Sequence, residues 1–304
     1  DIDSLRAIAV LAVIVNHLPA AYLPNGFLGV DVFFVISGFV ITASLLSQSA
    51  SSLAELYTSF FSRRIKRLLP ALFVFVVVIS IYVLLTDPFP DTSITTGIYS
   101  LFGFSNAYLY SEQLDYFAAS SKYNAFTHTW SLGVEEQFYL LFPFLVWVGL
   151  FKSEELKSTK QLSVILVVVS AMSLTAFIYL YKEHQPLAYF MMPMRFWELG
   201  TGSLAYLLSV SVYGNHIGRL IGRISILPPL LLLGVFFLSL EHAVSATIAS
   251  ITLTFFILLS PKKSISSRLL SLPLAVFIGQ ISYSLYLWHW PVITMKAFGL
   301  SNSV

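Results

Sequence analysis

The sequence predicts an all-α fold, a polytopic transmembrane helical bundle. Three observations carry this. Hydrophobic residues make up 57% of the 304 and charged residues only 11%, against roughly 45–50% and about 25% in soluble domains. Apolar runs near twenty residues recur along the whole chain. The basic residues gather in connections that fall on one side of those runs. The formal charge of +2 gives no reason to expect a nucleic-acid partner. The absence of cysteine excludes a disulfide framework, thiolate metal ligands and a cysteine nucleophile. The chain opens at Asp1 without a methionine or basic leader, so 1–304 reads as one membrane-embedded domain of a longer protein, cut at both ends.

Taken in order, the apolar runs are 5–22, 27–46, 69–85, 138–150, 162–181, 187–209, 226–240, 243–260 and 274–298. These are nine expected spans. A tenth stretch, 94–110, is interrupted by Gly97, Gly103, Ser105 and Asn106 and reads as a re-entrant or interfacial segment lying against protein. With a cytoplasmic start, nine spans put every basic cluster inside: Arg63, Arg64, Lys66 and Arg67; Lys152, Lys157 and Lys160; Arg219 and Arg223; Lys262, Lys263 and Arg268. The outside receives Asp87, Asp91, Glu112, Asp115 and the start of "HTWSLGVEEQFYLLFP" at His128.

Polar residues within this apolar frame are the candidate site. In the first run Arg6 and His17 stand eleven residues apart, about 1100° of helical rotation, so they share one face about 16 Å apart. The structural alternative is a snorkelling arginine and a packing histidine. Asp31 opens the second run at the depth of His17; a carboxylate there could orient the imidazole and raise its basicity, or simply cap the helix. Gly26, Gly29 and Gly38 suit close helix approach. In "FFSRRIKRLLP", Arg64 and Arg67 are spaced i, i+3 and Arg63 and Arg67 i, i+4, so two or three guanidiniums could converge on a polyanion. Anionic lipid is the competing ligand.

Glu135 and Glu136 are expected at the outer lip of the fourth span, level with His17 and Asp31, with His128 three residues before Ser131. Arg195 and Glu198, at i, i+3, suggest an internal ion pair. His289 sits between Trp288 and Trp290 in "ISYSLYLWHWP"; an aromatic belt explains the tryptophans but not the histidine. No spacing typical of a metal site or phosphate loop occurs.

Arg6 with His17, "GVDVFFVISGF", "SRRIKRLLP", "HTWSLGVEEQFY" and "ISYSLYLWHWP" together resemble the acyltransferase-3 family of polytopic membrane O-acyltransferases. The resemblance implies a cytosolic acyl-CoA donor, commonly acetyl-CoA, as a substrate with no permanently bound cofactor. It also implies a cell-surface polysaccharide acceptor beyond an inner or plasma membrane, and in some members a following extracytoplasmic SGNH-type domain. The family's arginine–histidine motif falls on Arg6 and His17, and its Arg-x-x-Arg motif on Arg64 and Arg67. The resulting expectation is that Arg64, Arg67 and Arg63, helped by Arg6, hold the donor. His17, oriented by Asp31, then carries the acyl group or deprotonates the acceptor, with Glu136 or Glu135 as the alternative base and His128 in the same polar layer. The rival reading is a transporter or flippase in which the buried His, Asp and Glu form a proton relay.

Overall fold

The computed structural model describes residues 2–18, 22–48, 50–112, 124–151, 159–261 and 264–301; Asp115, Lys152, Lys157, Lys262 and Lys263 lie outside them. Among the described residues there are helices and no strand: α1 Ile2–His17, α2 Gly29–Leu46, α3 Leu53–Thr86, α4 Asp91–Leu101, α5 Ser105–Ser111, α6 Trp130–Phe151, α7 Thr159–Glu183, α8 Gln185–Phe190, α9 Met192–Ser209, α10 Gly214–Arg223, α11 Leu227–Val235, α12 Ala243–Leu259, α13 Ile265–Leu269, α14 Pro273–Gln280 and α15 Ser282–Ser301.

Four segments among the described residues are long and apolar enough to cross a membrane: Gly26–Leu46, Leu53–Thr86, Thr159–Glu183 and Leu240–Leu259. Counting α10 and α11, bent by 71° against each other, as one broken span makes five. The nine expected crossings are therefore not all present as single long helices. The reasons are local. The 16 residues of α1 rise only about 24 Å, short of a hydrocarbon core of roughly 30 Å. The run 187–209 is divided by extended backbone at Met191, 274–298 is divided at Ile281, and 226–240 yields a helix of nine residues.

The chain forms two compact units, the first of Asp1–Ser49, Leu145–Met172 and Phe196–Tyr283, the second of Ala50–Phe144, Ser173–Arg195 and Ser284–Val304. In the first, α1 and α2 are held together by small residues. A side chain on Gly26 or Gly29 would run into the backbone carbonyls of Ala12 and Ala9, so these glycines permit the expected close approach. Gly38 meets the Leu199 carbonyl and Gly202 the Val35 carbonyl in the same way, which lays α2 directly on the α9 backbone. Asn16 ties the α1–α2 connection by donating to the carbonyls of Leu23 at 2.8 Å and Pro24 at 3.1 Å. Leu5, Ala9, Phe27, Val32, Ile36 and Phe236 belong to the buried apolar core of this unit.

The second unit is built along α3. Ser52 caps its start by accepting from the Glu55 N–H at 3.2 Å, while Glu55 accepts from the N–H of the preceding Ser51 at 2.8 Å. The segment 94–110 forms α4 and α5, of 11 and 7 residues, each too short to cross alone. They fold back on each other at Gly103, the described glycine with positive φ (72°), and Tyr99 stacks on Tyr108 with ring centroids 5.0 Å apart.

Candidate active site

The second unit contains a cavity of about 300 Å³. Its walls are Phe61, Arg64, Ile65, Leu68 and Leu69 of α3, the hairpin tip 101–104, and Glu136, Gln137, Tyr139 and Leu140 of α6. Arg64 and Glu136 thus face one space. The sequence places them on opposite sides of the bilayer, and the structure corrects this. The helices α3 and α6 run antiparallel, with Tyr57 donating to the Leu140 carbonyl at 2.7 Å. Further along, Phe75 packs edge-on against His128, ring centroids 5.7 Å apart. That register sets the first turns of α6 beside the middle of α3 and brings Glu136 to the level of Arg64. Hydropathy locates the ends of an apolar run but carries no information on how two helices slide past each other; interlocking side chains decide it.

Arg64, Tyr139 and Gln137 each have an identifiable support. The Arg64 guanidinium carbon lies 5.0 Å from the centre of the Tyr139 ring and 5.6 Å from that of Phe60, within cation–π range. Tyr139 in turn donates its hydroxyl to Glu135 Oε2 at 2.5 Å. On the opposite wall, Gln137 Nε2 donates to the Gly103 carbonyl at 3.1 Å and to Asn106 Oδ1 at 2.7 Å. Asn106 Nδ2 donates to the Phe190 carbonyl at 3.0 Å. Non-helical backbone among apolar helices needs such partners. A side chain on Gly103 would strike Glu136, so glycine lets the hairpin tip close against that carboxylate.

The remaining sequence candidates distribute as follows. Of the cationic cluster, Arg64 is half-buried and lines the cavity, whereas Arg63, Lys66 and Arg67 are exposed; Arg63 donates to Ser59 Oγ at 2.8 Å. Arg6 and His17 share the unbroken helix α1 of the first unit; Arg6 lies 3.7 Å from Asp3 and His17 is half-buried. Asp31 is buried in the first turn of α2. Glu135 and Glu136 diverge, one toward Tyr139 and the other toward the cavity, as adjacent helical positions about 100° apart must.

His128 occupies a separate buried cluster of the second unit. Its Nε2 lies 3.1 Å from the Leu287 carbonyl, which can only accept, so Nε2 carries a proton. Tyr286 donates to the His128 carbonyl at 2.8 Å and accepts from Ser131 at 2.7 Å. Ser131 is thus linked to the His128 backbone through Tyr286. His289 stacks edge-on against His128 at 5.4 Å with Nδ1 bonded to the Tyr286 carbonyl at 2.6 Å. Arg195, read from sequence as half of an ion pair, is buried with its guanidinium 4.8 Å from the Tyr189 ring, 5.3 Å from Phe177 and 5.6 Å from Trp130.

Sequence alone assigns no site role to Tyr139, Gln137, Asn106 or Tyr286, Asn106 being read only as an interruption of 94–110. The first two lie within the quoted "HTWSLGVEEQFY" beside the glutamates, and their polarity ahead of an apolar run was an available signal. Among the described residues no group of three or more His, Asp or Glu is placed to hold a metal ion.

A family model described as Acyltransferase domain matches residues 1–301. A Staphylococcus aureus (strain COL) protein named "Putative O-acetyltransferase" is 36% identical over 312 residues, covering 96% of this chain and 50% of that protein. The O-acetyltransferase OatA of Staphylococcus aureus (strain NCTC 8325 / PS 47) is 31% identical over 304 residues, with the same coverage of 96% and 50%. The chain spans about half the length of the curated relatives it matches. No solved structure matches it.

Proposed function

This chain belongs to the acyltransferase-3 family, the Acyltransferase domain, and from that premise we propose that it takes an acetyl group from acetyl-CoA and delivers it to a hydroxyl of a cell-surface polysaccharide across the inner or plasma membrane. The observation that carries this reading is the shared cavity of Arg64 and Glu136. A guanidinium pairs with phosphate oxygens in a fork that lysine lacks, and a carboxylate against apolar walls suits proton abstraction. With the donor's phosphates at Arg64 and its pantetheine arm folded back so that the thioester meets Glu136, a nucleophilic N–H or O–H group attacks the thioester carbonyl and Glu136 takes the proton that this group loses. The C–S bond breaks and coenzyme A leaves as a thiolate, which takes that proton back from Glu136 and leaves the carboxylate regenerated.

His17, with Asp31 as its orienting carboxylate, is the candidate to carry the acyl group onward or to deprotonate the acceptor hydroxyl. Arg6, Arg63 and Arg67 are further donor contacts in this reading, and His128 a buried base of the second unit. Names of the relatives support O-acetyl transfer; a fused or separate SGNH-type domain as a further partner follows from the resemblance. The test uses the full protein in detergent with radiolabelled acetyl-CoA and isolated envelope polysaccharide. Thiol release together with label in the glycan is expected. Solute movement in vesicles without acyl-CoA, with no thiol release in detergent, would instead favour the transporter.

A further inference from the structure

We infer that Glu135 is a positioning residue for the Arg64 guanidinium, acting through Tyr139. The two adjacent glutamates divide the work: Glu136 lines the cavity, while Glu135 accepts the Tyr139 hydroxyl one helical turn on, at 2.5 Å. Tyr139 is buried and Arg64 lies over its ring, with Phe60 meeting the Tyr139 ring edge-on, centroids 6.1 Å apart. Two effects follow from this chain of contacts. A phenol donating to a carboxylate gains electron density in its ring, which strengthens the attraction of the ring face for a cation. The same hydrogen bond fixes the plane of the ring, and so the surface on which Arg64 rests.

A long cationic side chain that is ordered before its ligand arrives spares the ligand the entropy of ordering it. Arg63 and Arg67, exposed on the same helix, have no such aromatic seat among the described contacts. The consequence is that one of four neighbouring cations is preorganised at the cavity, and that an anionic residue outside the cavity contributes to anion affinity. This runs against the simple electrostatic expectation that removing a negative charge near a phosphate site should tighten binding.

The inference rests on the reading that Arg64 meets the donor's phosphates, and the experiment separates the two. Coenzyme A is titrated calorimetrically into the full protein in detergent, and KM and kcat for acetyl-CoA are measured alongside. Tyr139→Phe keeps the ring and removes the hydroxyl; Glu135→Gln keeps the shape and removes the charge. Each is expected to weaken coenzyme A by about threefold to fivefold with kcat within about twofold. The double variant should match either single one, because both break the same link. Tyr139→Leu should approach the loss seen in Arg64→Ala. If Arg64→Ala itself leaves affinity unchanged, the donor reading fails. If Arg64→Ala weakens binding while Tyr139→Phe and Glu135→Gln do not, the positioning role alone is overturned. Strictly additive losses, or a fall in kcat without a change in affinity, overturn it as well.

Discussion

A carboxylate oxygen of Glu136 occupies the place where a side chain on Gly103 would begin, and Gly103 holds a φ of 72° that L side chains rarely adopt. Gly103→Ala therefore imposes both backbone strain, about 1–2 kcal/mol, and a collision with Glu136. Gly103→Asn tolerates the left-handed backbone far better but keeps the collision. Turnover of acetyl-CoA should fall about tenfold or more in both. Recovery in the asparagine variant alone would assign the glycine to backbone conformation and remove the contact with Glu136 from consideration.

Arg64→Ala should weaken coenzyme A by roughly tenfold, the order expected for one charge-assisted contact to phosphate. Arg63→Ala and Arg67→Ala, at exposed positions, should each cost about threefold or less, an effect that disappears at high salt. Equal losses at all three positions would describe a diffuse cationic surface.

Glu136→Gln preserves shape and removes the capacity to take a proton. On the donor-step reading kcat falls by about 100-fold or more while coenzyme A affinity changes little, the pattern of a group that acts in the transition state. A raised KM with unchanged kcat would make Glu136 a binding group only.

His17→Ala should abolish transfer to glycan while calorimetric binding of coenzyme A persists. Asp31→Asn, which keeps a hydrogen-bonding side chain at this buried position, should lower transfer by about tenfold or more through loss of the orienting charge. Full glycan acetylation by the His17→Ala protein would remove the relay role.

Gly202→Ala drives a methyl into the Val35 carbonyl and should destabilise the protein in detergent by about 1–3 kcal/mol, the usual cost of overpacking. Gly234→Ala, with nothing near its added carbon and a place inside α11, should be neutral or stabilising by up to about 1 kcal/mol. Thermal unfolding of the two variants, side by side, checks both directions.

The sequence displays the helical class, the glycines that bring α1 and α2 together, and the interruption at 94–110, because each depends on local composition. It also shows that only one of two adjacent glutamates faces a given wall, since helical rotation alone requires it. Axial register was not legible. Arg64 and Glu136 share a cavity because Tyr57 meets Leu140 and Phe75 meets His128, contacts far apart in the chain. Breaks at Met191 and Ile281 were likewise hidden inside continuous apolar runs, where hydropathy is blind to backbone conformation. The aromatic seat of Arg195 escaped notice because its rings come from Trp130, Phe177 and Tyr189, on three different helices.

The α2–α9 contact, with Gly38 on the Leu199 carbonyl and Gly202 on that of Val35, has a thermal consequence. Two helices that associate within lipid expel acyl chains rather than water, so their attraction comes from close atomic contact. Water expulsion is the source of the large heat capacity that makes soluble cores weaken on cooling. An interface of glycines against carbonyls has little of it. The α2–α9 pair should therefore not weaken on cooling, and a plot of its stability against temperature should be nearly straight where a soluble domain's is domed.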